Sequence, residues 1–282
     1  MTIALALICA FMWGYSEVEH KKASSKFATP FMVLLKYIFQ ILSYLIFILI
    51  FDLDVINRFD LTIYKFIIPF FLLWFISNLI YNYCLKNGKL SIVSPLMASD
   101  PVFVVIIGLM LFKEKQSIID LIALAIICIS ICGLNFVKTK EKQQTKKIAI
   151  FLASLYAFFL ALATTVEKSI YLGGYTLTDM FFHYMLLLMV VVFVLSIYLV
   201  IKKQIQKPNK EIMKSVVITN AANILYSYLI STAYVSLVVP LTGLYSVVTQ
   251  ILAKIMLKEK LTISQRTFVS LIIVATLLLL IF

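Results

Sequence analysis

Apolar residues fall into ten stretches of roughly twenty, near 2–22, 30–51, 64–85, 90–112, 117–137, 147–167, 178–201, 213–233, 236–257 and 263–282, separated by short polar turns. A helix of that length spans the hydrocarbon of a bilayer, so the pattern predicts ten transmembrane helices. No intervening loop is long enough for a soluble domain. The first stretch has no basic leader and no small-residue cleavage site, and it counts as a span.

A repeat lies beneath this pattern. Shifted by 145 positions, Asn78–Ile118 lies on Asn223–Ile263 without a gap, with 13 of 41 positions identical. The matches include Asn78/Asn223, Tyr81/Tyr226, Tyr83/Tyr228, Pro95/Pro240 and Lys113-Glu114-Lys115 against Lys258-Glu259-Lys260. Residues 1–137 and 148–282 are therefore expected to be two five-helix repeats joined by a basic linker, 138–147. Five is odd, so the second repeat enters the membrane in the opposite sense. The predicted fold is an all-α integral membrane protein of two inverted repeats, as in many secondary transporters.

Composition agrees. Hydrophobic residues make up 63% of 282 and charged residues 13%, too few to cover a soluble surface. The net charge of +12 resides mostly in short loops, where Lys sets topology and meets anionic lipid, so no nucleic-acid partner is expected. The loops after odd-numbered spans hold 18 of the 25 Lys and Arg, against 5 in the even-numbered loops. This count puts both termini outside. Cys9, Cys84, Cys128 and Cys132 all lie in apolar stretches without a His or carboxylate partner, which reads as small core residues. Neither a metal nor a cofactor is expected. HExxH, P-loop and GxSxG patterns are absent from the sequence, which argues against an enzyme.

Ionisable and polar groups inside spans are the functional candidates. Glu17 shares a helical face with Trp13, His20 and Lys21; it is either a salt bridge at the span's end or a carboxylate that binds a proton or cation. Glu167, beside Lys168, is its rough counterpart in the sixth span. Asp100 sits mid-span between Ser99 and Pro101, where Pro101 leaves a backbone carbonyl open. Its mate by the 145 offset is Tyr245. Lys254 shares a face with Gln250 and could snorkel, bind an anionic group or pair with Asp100. Lys36, with Gln40 one turn on, offers the same choice. Asn78, Tyr81 and Asn82 share one face of the third span, and Asn223, Tyr226 and Ser227 the matching face of the eighth. These faces either bond helix to helix or line a cavity. His183 is expected at the interface.

The chain resembles the drug/metabolite transporter superfamily, specifically its EamA-type ten-helix members. Trp13-Gly14 with Lys21 eight residues later looks like that family's opening motif, and Thr29-Pro30 and Lys36 continue it. The Pro-then-Glu pattern, Pro95 to Glu114 and Pro240 to Glu259, recurs in both halves. The departures are a total of only seven Gly and an acidic stretch with Glu17, Glu19 and His20. The resemblance implies a metabolite transporter with cytoplasmic termini, against the charge count.

The expected function is thus a secondary transporter of a small zwitterionic or amphiphilic solute, working by alternating access. Spans 1, 3, 4, 6, 8 and 9 would surround the cavity, with Asp100 and Lys254 supplying opposite charges and Glu17 or Glu167 proton coupling. The alternatives are a lipid or lipid-phosphate flippase and a non-transporting membrane scaffold. Expected partners are a small-molecule substrate and membrane lipids, with a homodimer left open. The expected location is a bacterial plasma membrane.

Overall fold

The computed structural model describes residues 1–111, 146–258 and 262–281, and 117–130 apart from 120, 124, 127 and 128. All regular structure among them is helical. Helices α1 (Thr2–Ser24), α2 (Thr29–Phe51) and α3 (Tyr64–Asn87) open the first repeat, followed by α4 (Leu90–Met97) and α5 (Asp100–Leu111). The second repeat runs through α6 (Lys147–Leu172), α7 (Leu177–Ile201), α8 (Lys210–Thr232), α9 (Val235–Gly243), α10 (Tyr245–Leu252) with a π-helical turn at Ala253–Leu257, and α11 (Ile263–Ile281). The described residues of 118–130 are helical, and the rest of the expected fifth span lies outside the described residues, as do Cys128, Cys132, Lys113-Glu114-Lys115, Glu259-Lys260 and most of the linker.

Six of the described segments are long and apolar enough to cross a membrane: Thr2–Ser24, Thr29–Phe51, Leu61–Asn87, Lys147–Leu172, Leu177–Ile201 and Val235–Leu257. Helix α8 has comparable length but carries Lys210, Glu211, Lys214, Asn220 and Asn223. Outward faces of α2 and α7 expose Leu49, Ile50, Val190 and Phe193, as lipid contact requires.

The fourth span of each repeat is broken, and at one register. Helix α4 gives way to α5 at Ala98–Ser99, and α9 gives way to α10 at Leu244, so that Asp100 and Tyr245 each begin the second piece. In the first half Pro101 forbids an amide at this point. No proline stands at the matching Ser246, so the break belongs to the repeat rather than to that residue. The open backbone groups are taken up locally: Ser99 Oγ donates to Leu96 O (2.6 Å) and Thr242 Oγ1 to Val238 O (3.0 Å).

The repeats embrace reciprocally. Helix α1 packs along α8, and its mate α6 packs along α3; α1 also meets α9 and α10, as α6 meets α4 and α5. Helices α2 and α7 pair with each other. Gly14 permits the approach of α1 to α10, since a Cβ there would lie 2.6 Å from Val248 Cβ and 2.8 Å from the Tyr245 carbonyl.

Two lysines act alike at the repeat ends. Lys21 Nζ donates to the carbonyls of Leu85 and Gly88, and Lys168 Nζ to those of Ile230 and Ala233. Leu85/Ile230 and Gly88/Ala233 are related by the 145 offset, so each lysine caps the third helix of its own repeat. The expected Glu17–Lys21 bridge is therefore not formed; Lys21 is committed to open carbonyls, and Glu17 turns to hydroxyls instead.

Candidate functional site

A cavity lies between the repeats, with a free volume of about 60 Å³, room for several waters or part of a small solute. Its wall comes from α1 (Trp13, Ser16, Glu17), α2 (Lys36), α3 (Trp74, Tyr81), α6 (Tyr156, Leu160), α8 (Thr219, Asn223) and α10 (Tyr245). Spans 1, 3, 6, 8 and 9 contribute as expected. Span 2 contributes Lys36, whereas span 4 is absent from the wall and touches the site through the Ser94 hydroxyl on Glu17.

Glu17 is 2% exposed and accepts hydrogen bonds at Oε2 from Ser94 Oγ and from Thr249 Oγ1 (2.8 Å), one on each broken span. Its Oε1 is buried without a hydrogen-bond partner. Lys36 enters from α2, donates to Asn78 Oδ1, and places its ammonium 5.9 Å from the centres of both the Trp74 and Tyr81 rings. That aromatic seat favours a cation in a dry site. Trp13 Nε1 donates to Asn223 Oδ1 (3.0 Å), while Asn223 Nδ2 is left without a hydrogen-bond partner. Buried polar atoms are nearly always paired, so an open acceptor on Glu17 and an open donor on Asn223 in the same cavity mark a place for a polar guest.

Behind this wall, Tyr226 packs against Trp13 (ring centres 5.0 Å apart), and its hydroxyl bonds Thr164 (2.9 Å). Tyr245 meets Trp13 edge-on at 5.9 Å. Below it, His20 bridges the repeats through Asn82 (2.9 Å) and Ser215 (3.2 Å), and Ser16 receives a bond from Thr219 (3.0 Å).

The candidates thus separate. Trp13, Glu17, Lys36, Tyr81, Asn223 and Tyr245 converge on the cavity, with Asn78 and Tyr226 directly behind it. Asp100 is buried, within electrostatic reach of Tyr156, Tyr226 and Tyr245, and does not form the wall. Lys254 is exposed, in the π-helical turn that ends the ninth span. The expected Asp100–Lys254 charge pair is not formed, one partner being buried and the other turned outward. Gln250 lies off the cavity, with its Nε2 buried and unpartnered. Glu167 is buried outside the cavity wall, where Oε1 accepts from Tyr171 (3.1 Å). Sequence reasoning missed Trp74 and Thr219, although each lies four residues before a chosen residue (Asn78, Asn223) on the same helical face. Tyr156 and Ser94 gave no such signal.

At the even-loop face the 52–63 segment straps the repeats together. Asp52 pairs with Arg58 and accepts from Thr178 Oγ1 (2.6 Å), Arg58 reaches Asp179 (3.5 Å), and Asp60 accepts from Tyr175 (3.0 Å). His183 lies under this strap, buried, accepting from the Asp60 amide (3.3 Å). The hydrogen bond from Thr178, then that from Arg58, holds the Asp52 carboxyl below its ordinary value, and the Thr62 hydroxyl and amide do the same for Asp60.

Paired repeats, broken helices meeting at mid-molecule and a polar cavity between the repeats define a helical membrane protein of transporter architecture. The EamA-like transporter family model matches residues 1–136 and 147–281, and the chain belongs to that family, whose members are transporters of small solutes rather than enzymes. Comparison with curated proteins returns no match. A solved structure described only as "Crystal structure of protein" superposes with a TM-score of 0.67 over 98% of this chain and 96% of that chain at 11% identity, a likeness of fold.

Proposed function

We propose that the chain is a ten-span secondary transporter of inverted repeats, carrying an amino-acid-like zwitterion by alternating access in a bacterial plasma membrane. The observation that carries this reading is the pairing of Glu17 and Lys36 on different walls of one cavity. A substrate ammonium would meet the open Glu17 Oε1, and its carboxylate would meet Lys36 and Asn223 Nδ2. The aromatic wall of Trp13, Trp74, Tyr81 and Tyr245 would take the side chain. Opposite charges in a poorly solvated cavity recognise a zwitterion better than either ion alone, since each unmatched charge would remain desolvated. The broken fourth and ninth spans, both touching Glu17, are natural points for the rocking of one repeat against the other.

The reading is tested with purified protein by thermal shift across amino acids, simple amines and simple carboxylates. A ligand that binds only the folded state stabilises it by mass action, about 2.7 kcal/mol at a hundred times its Kd. Zwitterions are expected to raise the melting temperature, and Glu17→Gln or Lys36→Met to remove the response. Stabilisation by amines or carboxylates alone, with zwitterions inert, would refute the charge assignment.

A further inference from the structure

A second buried carboxylate lies outside this cavity. Glu167, 3% exposed on α6, is held by the Tyr171 hydroxyl with that of Ser227 beside it, and has no ion-pair partner among the described residues. Lys168, next along the helix, points away to the carbonyls of Ile230 and Ala233. The titratable groups facing Glu167 are Tyr44 from α2, Tyr184 from α7, Tyr226 from α8 and Tyr171 on its own helix. Every one is a phenol.

A polar stripe on α2 leads from the cavity toward this carboxylate. Lys36 bonds Asn78 in the cavity wall. The hydroxyl of Tyr37, a residue wholly buried, lies beside Asn78 without completing a hydrogen bond. One turn on, Gln40 donates to the Tyr44 hydroxyl (2.8 Å) and leaves its own Oε1 unpartnered, and Tyr44 reaches the surroundings of Glu167. The Tyr184 hydroxyl is likewise buried and unpartnered beside Tyr37 and Tyr44. Apolar packing, with the Tyr44 ring stacked on Phe181 at 4.2 Å, surrounds the stripe. Three unpaired polar atoms, two on one face of α2 and one facing them from α7, inside a membrane protein call for water between them, and water between phenol and amide groups makes a hydrogen-bonded path.

We infer that Glu167 is a proton-loading site, connected to the substrate cavity by a relay along Tyr37, Gln40 and Tyr44. Loading converts the carboxylate to the neutral acid, and release returns the proton along the same chain. The two repeats then divide the work: Glu17 on the first helix of one holds the substrate cation, and Glu167 on the first helix of the other holds the coupling proton. This assignment rests on the transporter reading for its purpose but not for its test.

The test is infrared difference spectroscopy of the full-length protein in liposomes, stepped in pH between about 5 and 9, the range in which buried carboxyls titrate. No transport substrate is present. Glu17 and Asp100 are buried carboxyls too, so the protonated-carboxyl signal has several components; one that titrates in the wild type should vanish in Glu167→Gln, persist in Glu17→Gln and in Asp100→Asn, and return, shifted, in Glu167→Asp. Gln40→Leu leaves the carboxyl in place and should slow the response to a pH jump about 10²-fold. A titrating carboxyl signal that Glu167→Gln leaves whole, with no component lost, or a Gln40→Leu response as fast as wild type, overturns the proposal. Should Glu167→Gln fail to fold, the Gln40→Leu kinetics and the Glu167→Asp shift decide alone. A titrating Glu167 in a protein that transports no zwitterion would defeat the transport reading and leave the proton site standing.

Discussion

The two crossings that join the repeats are made from equivalent helices and yet differ in chemistry. Where α1 meets α8, polar contacts follow one another along the interface: Trp13 to Asn223, Ser16 to Thr219, His20 to Ser215. Where α6 meets α3, the contacts are a Cys84 thiol on the Ala149 carbonyl (3.4 Å), the Tyr81–Tyr156 ring pair (5.9 Å) and an apolar cluster containing Leu85, Ile150 and Ala153. Duplication supplied one backbone arrangement twice. Divergence then left one crossing apolar and made the other polar. The cavity sits between them; Glu17 comes from the polar side, and Lys36 enters from α2 to bond Asn78 of α3.

Breaking the polar crossing should therefore cost function, and breaking the apolar one should cost stability. The largest effect is expected from Lys36→Met or Glu17→Gln, each lowering the rate of zwitterion transport in proteoliposomes about 10²-fold while leaving the melting temperature near wild type. Next is Gly14→Leu, whose side chain cannot pass Val248 and the Tyr245 carbonyl. A loss of about 3 kcal/mol, or failure to fold, should show in detergent unfolding, with Gly14→Ala milder. Trp13→Phe keeps the ring and removes the bond to Asn223, for a loss of about 1 kcal/mol in ligand affinity by calorimetry and little in stability. Cys84→Ala on the apolar crossing should do the reverse, lowering stability by about 1 kcal/mol without changing affinity.

The smallest effect concerns the strap at the even-loop face. Asp52 and Asp60 have folded-state values held below the unfolded carboxyl near about 3.9, so their stabilisation is complete above that pH. It is lost as pH falls through the lower folded values. Amide-exchange protection in residues 52–63, taken relative to the intrinsic rate at each pH, should fall below about pH 4. Arg58→Ala should lower it at neutral pH and narrow the difference between the two conditions. Protection that rises on acidification would contradict the assignment.

Much of the fold was legible because lipid imposes a length and an apolarity on each helix, and because duplication wrote the same landmarks twice. The boundaries of α1, α2 and α7 follow from hydropathy alone. The break in the fourth span was signalled by Pro101, whereas that in the ninth was not, since Ser246 permits a helix and only the shared register reveals it. The site was less legible. Helical spacing put Glu17 and Trp13 on one face and Asn78 and Tyr81 on another, and both faces do meet the cavity region. Asp100 and Lys254 were chosen as ionisable groups inside spans, but position along a span alone does not say which way a side chain points. Lys254 is exposed in the π-helical turn, and Asp100 is buried near three tyrosines outside the cavity wall. Lys21 and Lys168 gave no hint of their shared role, because hydrogen bonds to open carbonyls at a helix end depend on tertiary approach.

The central claim is that a zwitterion sits between Glu17 and Lys36. It is tested most directly by counterflow of labelled amino acids into proteoliposomes preloaded with the same amino acid, comparing wild type with Glu17→Gln, Lys36→Met and the double variant. The account predicts exchange in the wild type, its loss in each single variant, and recovery of a neutral or singly charged analogue in the variant that lacks the matching charge. Exchange at wild-type rates in both single variants would contradict it.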